Sequence, residues 1–343
     1  MAVELKSARH DVASLEEAIE LYHTKGWTDG LPVIPPTEER VRAFVEAAGR
    51  GPQEVLGVIR ERARAITVEK VAVNAVMAGC LPAYMPVLVA AVEAMSTTRF
   101  NLHACAASTG GSAPLLVVNG PIVKSLGFNA GVNVFGQGWR ANATVGRAIR
   151  LIIQNVCAGT PGVMDKSTMG HPGKFSYCIA ENEDGPWAPL HVERGLSAGE
   201  SAVTVFAGEG PHYVRNDSGG SPAAVLLTVA DVLASANQAN GCYAVVLCPE
   251  HMQVIAQAGW SKKDIRAYLH EHATRSVAAL KRGGRVPGAV EPKDETTIRR
   301  MVENPDDLLV VVAGGSAGGF SAVVPPWAGG RSSLPETRAI RVS

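Results

Sequence analysis

The chain has 343 residues, 46% hydrophobic and 19% charged, which suffices for a sizeable core in two domains or one large α/β unit. Its 32 Lys and Arg balance 32 Asp and Glu, so no electrostatic footprint for nucleic acid is expected. The opening MAVELKSARHDVASLEEAIELY lacks the apolar core of a secretory signal, and no run of about 18 apolar residues occurs, so the reading is cytoplasmic and free of the membrane.

Ser14 and Glu17 form a capping-box pattern for a helix running to about Lys25 and stopped by Gly26. Trp27-Thr28-Asp29-Gly30-Leu31-Pro32 then reads as a turn, or as a lid or subunit contact. Thr37 caps a second helix, Thr67 a third, and a fourth starts near Pro86. The first convincing strand is Leu115–Val118, followed by a strongly amphipathic helix over Asn142–Val156. Ala202–Phe206 reads as a strand, Ala223–Ala234 as a helix and Tyr243–Leu247 as a buried strand that runs into a helix at Pro249. A helix from Ser261 ends with His270-Glu271-His272. A short helix is expected around Thr296–Val302, then a strand at Leu308–Ala313.

Alternating strands and helices predict an α/β fold with largely parallel or mixed sheets and flanking helices. Three regions suggest themselves: helical wrapping over 1–98, a glycine- and asparagine-rich α/β region over 99–200, and a second α/β region over 201–343. Gly-Gly-Ser recurs at 110–112, 219–221 and 314–316, a spacing that pseudo-repeats of about one hundred residues would produce. Chance recurrence in a chain with 36 glycines fits as well.

Residues 99–194 hold most of the chemically competent side chains in glycine-rich loops. Gly136-Gln137-Gly138-Trp139-Arg140-Ala141-Asn142-Ala143-Thr144 is the candidate anion site: Asn142 or Thr144 would cap a helix beside the Arg140 guanidinium. A capped helix with a surface arginine accounts for the same pattern. His171, Lys174 and Glu181 supply the residue types of proton exchange and oxyanion stabilisation. Glu250, His251 and the loop Gly314-Gly315-Ser316 follow strands at the edge where open sheets bind ligands. Cys248 precedes a helix N-terminus and reads either as an activated thiol or as a small buried residue. The six cysteines (80, 105, 157, 178, 242 and 248) lack paired spacing. His103, Cys105, Cys178, His191 and His212 lack the spacing of a zinc site, so no metal and no other cofactor is expected.

The segments GWTDGLPVIPPTEERV, FNLHACAASTGGSAPLLVVNGP, GWRANATVGRAIRLI, GHPGKFSYCIAENEDGPWAPLHVERG and VVLCPEHMQVIAQAGWSK resemble a bacterial family mostly without assigned function. That family resembles one encountered beside small thiol or selenol proteins bearing a U/C-G-S-C motif, which are loosely similar to glycine and proline reductase components. The resemblance implies a thiol- or selenol-bearing protein partner. In this chain Ala317 stands at the cysteine position of Gly314-Gly315-Ser316-Ala317, so a redox thiol would come from that partner or from Cys80, Cys105 or Cys248.

The expectation is therefore an enzyme of lyase or hydrolase type acting on a small carboxylate or phosphate, in a homo-oligomer. Arg140 and Asn142 would hold the anion, His171 and Glu181 would exchange protons, and Lys174 would stabilise negative charge. The alternatives are a subunit of a thiol-dependent reductase-like complex and a binding protein without turnover.

Overall fold

The computed structural model describes residues 4–236 and 240–342. Capping chemistry sets the first helices: Ser14 and Thr37 accept amides at the starts of α1 (Leu15–Thr24) and α2 (Glu38–Ala47). An antiparallel pair, β1 (Val55–Ile59) and β2 (Arg64–Thr67), follows where no strand was expected, and Thr67 caps α3 (Val68–Ala78). The fourth helix, α4 (Met85–Met95), carries one charged residue and is almost wholly buried.

Two four-stranded sheets come next. The first contains β3 (Ala113–Asn119), β4 (Cys178–Ala180), β5 (Ala202–Gly208) and a last strand from residues 336–339. The long helix α5 (Arg140–Asn155) covers it together with α3 and α4. The second sheet contains β6 (His212–Arg215), β7 (Tyr243–Leu247) and the pair described below. Helices α6 (Pro222–Ser235), α7 (Pro249–Gln257) and α8 (Lys262–His272) lie in the region of its outer face. Residues 274–276 (β8) pair antiparallel with Ile298–Arg300 (β9), so the helix expected at Thr296–Val302 is a strand. The β-branched and arginine-rich TTIRRMV satisfies either periodicity, and pairing with the segment after α8 decides it. The remaining strands are β10 (Leu308–Val312), β11 (Phe320–Val324) and β12 (Glu336–Ala339).

Both sheets have the same order of pairings. In the first, β4 and β3 are parallel, β3 and β5 antiparallel, and β5 and β12 antiparallel. In the second, β10 and β7 are parallel, β7 and β11 antiparallel, and β11 and β6 antiparallel. The outermost antiparallel strand is exchanged: β6, which follows β5, joins the second sheet, and β12, which follows β11, returns to the first. The sheets thus do not divide at residue 200. The three Gly-Gly-Ser triplets occupy unlike places, before β3, before α6 and after β10.

Side-chain alternation builds the layers. Leu115, Val117 and Phe206 of the first sheet meet Ala244, Val246, Leu309 and Val311 of the second. Leu116, Val118 and Val205 face α3, α4 and α5, while Val245, Leu247 and Val310 face α6 and α8. The order is helices, sheet, sheet, helices, an α/β fold with mixed sheets. Strands buried on both faces are apolar at nearly every position, as LLVV and YAVVL are.

Gly120 turns the chain out of β3 at φ +84°, and an added Cβ there would stand 2.3 Å from the Glu200 carbonyl oxygen. Gly120→Ala is therefore expected to cost about 2–4 kcal/mol by urea denaturation. A loss under about 0.5 kcal/mol would show that the turn relaxes freely.

Candidate active site

His171 and Lys174 bound a 3-10 turn ahead of β4. The Lys174 ammonium lies 2.9 Å from Asp165 Oδ2, 2.8 Å from Ser167 Oγ and 3.2 Å from the Ser112 carbonyl. Arg150 reaches the same Asp165 oxygen at 2.5 Å. Burial opposes a charge on Asp165, but bonds from Lys174, Ser167 and Arg150 hold its carboxyl far below the usual range. All three ammonium donors are thus engaged, and Lys174 is a structural tie rather than a free oxyanion stabiliser. His171 Nδ1 accepts the Gly173 amide at 3.1 Å, which puts the neutral ring's proton on a buried Nε2 without a hydrogen-bond partner among the described residues. Burial, then the Lys174 charge, pushes the His171 pKa down to about 4, so the ring is neutral at neutral pH and holds no imidazolium proton to give as an acid.

Glu181 does not join them. It follows the other end of β4, where its carboxylate accepts from Asn119 Nδ2 and the Leu190 amide, both at 2.7 Å, and stands 3.2 Å from Lys262 Nζ. Burial raises its pKa against the pull of Lys262, in a network that Glu193 and Arg266 complete. The catalytic grouping of His171, Lys174 and Glu181 is corrected on this ground.

The anion site dissolves likewise. Arg140 begins α5, and its guanidinium donates to the Gly79 carbonyl at 3.0 and 2.9 Å, closing the end of α3. Asn142 is buried in the helix, where its amide pairs with the Asn129 backbone at 2.7 and 3.0 Å. Thr144 bonds back to the Arg140 carbonyl at 2.8 Å. Neither caps the helix, because α5 starts two residues before Asn142. The turn at Trp27–Pro32 is held by Asp29, whose carboxylate accepts two bonds of 2.8 Å from Arg147.

The carboxyl edge of the second sheet is different. Strands β6, β7 and β10 end there and β11 begins, so residues 216, 248–251 and 313–321 meet. Glu250 holds the glycine loop through the Gly318 amide at 2.8 Å, which makes it an anchor of that loop. Gly314 bonds the Ala130 carbonyl at 2.9 Å, Gly315 packs against Val132, and Ser316 is exposed. His251 is buried, with Nε2 2.9 Å from the Asn216 carbonyl and Nδ1 2.7 Å from Ser321 Oγ. A carbonyl only accepts, so Nε2 bears the proton and Ser321 donates to Nδ1 of the neutral ring. Ser321 Oγ also accepts the Cys248 amide at 3.0 Å, and the Cys248 sulfur accepts the His251 amide at 3.5 Å. Gly319 is required above this group, since a Cβ there would come within 2.4 Å of the Asn216 oxygen and 3.0 Å of His251 Nε2.

The environments of the thiols separate them. Burial pushes up Cys80, Cys105, Cys157, Cys178 and Cys242. Burial acts on Cys248 too, but His251 and Ser321 prevail and hold it below the ordinary thiol value. Burial likewise opposes a charge on His251, yet Cys248 and the Asn216 carbonyl raise its pKa.

A cleft of about 480 Å³ adjoins this edge, with Ser321, Phe320, Gly314 and Gly315 on one side and Phe135, Gly173, Tyr177 and Tyr213 on the others. It brings the turn beside His171 to the Gly314 loop but does not include Arg140. Ser321 and Asn216 were not singled out from the sequence. The available signal was a lone hydroxyl in the apolar run FSAVV directly after a glycine loop. A second hollow of about 500 Å³ lies under residues 5–12. Two of its carboxylates are already committed, Glu38 to Arg9 and Arg42 and Glu69 to the Lys6 and Ser7 amides. No group of three or more His, Cys, Asp and Glu among the described residues is placed to hold a metal, and no described helix is long and apolar enough to cross a membrane.

The His171 environment makes a pH prediction. Its folded pKa lies below the unfolded value of about 6.5, so the unfolded chain takes up a proton first and stability falls as pH drops from about 6.5 towards 4. His171→Gln should flatten the fall in melting temperature across that window. An unchanged slope would mean that other groups carry it. Comparison with protein-family models, curated proteins and solved structures returned no match for the chain.

Proposed function

We propose that the chain is an enzyme acting on a small molecule bound in the 480 Å³ cleft, with His251 exchanging protons through Ser321. One observation carries this reading: Ser321, a wall residue of the cleft, bonds at 2.7 Å to an imidazole whose other nitrogen is fixed by a backbone carbonyl. Hydroxyl, base and orienting group in mutual hydrogen-bond reach are the parts of hydrolytic or lyase chemistry.

The cleft lining contains no charged side chain, and the nearby cations Lys174 and Arg150 both point at Asp165 rather than into the cleft. A neutral carbonyl compound fits this lining better than the carboxylate or phosphate expected from Arg140. Aromatic rings of Phe135, Tyr177 and Phe320 would hold its apolar part. A second reading, a subunit that docks a thiol-bearing protein, is favoured by one observation. The apolar side chains at the mouth are exposed: Val132 by 65%, Tyr213 by 74% and Phe320 by 50%.

The test is a thermal-shift screen of neutral esters, lactones and amides, followed by turnover assays on the hits. Phe320→Asp should abolish the stabilisation, and His251→Asn should lower turnover about a hundred-fold or more while leaving binding. Hits that stabilise the wild type and Phe320→Asp equally would place the site elsewhere. Binding without turnover would leave the docking or binding-protein readings.

A further inference from the structure

We infer that Cys248 is the nucleophile of this site, deprotonated through Ser321 by His251, and that the substrate class is an activated acyl compound, an ester or thioester. The inference rests on the cleft reading above and names the group that would attack. Three polar side chains meet at the edge where β7 and β11 adjoin. Ser321 Oγ is 2.7 Å from His251 Nδ1 and 3.0 Å from the Cys248 amide, and Cys248 is the cap residue of α7. The Cys248 backbone amide thus bonds a wall residue of the cleft, and the same Ser321 hydroxyl acts on the buried Cys248 thiol behind it.

The hydrogen-bond inventory allows a proton relay without moving an atom far. With His251 neutral, Ser321 donates to Nδ1. With His251 protonated, Nδ1 donates to Ser321 Oγ, which still accepts the Cys248 amide and turns its own hydrogen towards the sulfur. The Asn216 carbonyl keeps the Nε2 proton in both states. This arrangement favours thiolate and imidazolium together, in line with the opposite displacements of the two pKa values. Cys248 is the only one of the six thiols displaced in this direction.

The chemistry closes. The thiol proton passes to Ser321 Oγ as the serine proton passes to Nδ1. The sulfur then adds to the acyl carbon, a C–S bond forms, and the carbonyl pair moves onto oxygen. Collapse expels the alkoxide or thiolate, which takes the proton back from His251 through Ser321. Water adds to the resulting thioester and yields a proton to His251. The C–S bond breaks, and the proton returns to sulfur. The net reaction is hydrolysis and needs no co-reactant but water.

The experiment is competitive alkylation of the full chain with iodoacetamide at several pH values, each cysteine read by peptide mass mapping, and a parallel incubation with 4-nitrophenyl acetate. Cys248 should react about ten-fold faster than any other cysteine near pH 7, with a midpoint below the ordinary thiol value of about 8.5. Ser321→Ala should move that midpoint upward while the melting temperature shows the variant folded, and His251→Asn should do the same. The acetyl adduct should map to Cys248. Equal rates at all six cysteines, a midpoint indifferent to Ser321→Ala, or an acetyl group on Ser321 would overturn the assignment. These readouts need no natural ligand, so they can fail while the cleft still binds one, and can succeed where the cleft screen finds none.

Discussion

Coverage of both sheets on both faces is the constraint from which the rest follows. A strand packed between another sheet and a helix layer has no face on which a polar side chain meets water. Charged and hydroxyl groups are therefore driven to the strand ends and the loops beyond them. Runs such as Leu115–Val118 and Tyr243–Leu247 are uniformly buried. The polar clusters built around Asp165, Glu181 and His251 all lie past one end or the other of such runs. Thr204 and Ser321 are exceptions within strands, and each has a hydroxyl partner or a ring nitrogen within 2.8 Å.

The three clusters differ in what they leave uncommitted. Around Asp165, two cations and a serine surround one carboxylate, and each donor of Lys174 has a fixed acceptor. Around Glu181, Lys262 is shared between two carboxylates and a carbonyl. Such closed groups stabilise mainly by leaving no buried charge unpaired, and removing one member is costly for that reason. Around His251 the bonds have two self-consistent proton arrangements. A network that can be satisfied in two ways can pass a proton, whereas one satisfied in a single way can only hold the fold.

Much of the scaffold was legible. Tyr243–Leu247 is the strand expected, Leu308–Ala313 and Ala202–Phe206 differ from theirs by a residue or two, and the caps at Ser14, Thr37, Thr67 and Ser261 all operate. Local pattern sufficed there because burial on both faces leaves an unbroken apolar run. The strands His212–Arg215 and Glu336–Ala339 were not legible. They are short, polar and at sheet edges, and their partners lie more than one hundred residues away for β6 with β11 and for β12 with β5. The site was misjudged for a related reason. Arg140 and Lys174 have the right chemistry locally, but carbonyls and carboxylates from distant segments occupy their donors. Conversely Ser321 becomes chemically interesting only when β11 lands beside β7, which no local signal announces.

The exchanged outer strands impose an order on how the molecule is made. A nascent chain that has emerged as far as β5 already holds three strands of the first sheet, with the outer side of β5 open. The strand that covers it is β12, synthesised only after the whole second sheet. An uncovered strand edge is a template for pairing with other chains, so that interval is the one in which ribosome-bound intermediates are most prone to mispair. Splitting the gene between β6 and β7 would make the exposure permanent, because each fragment would carry the other's closing strand.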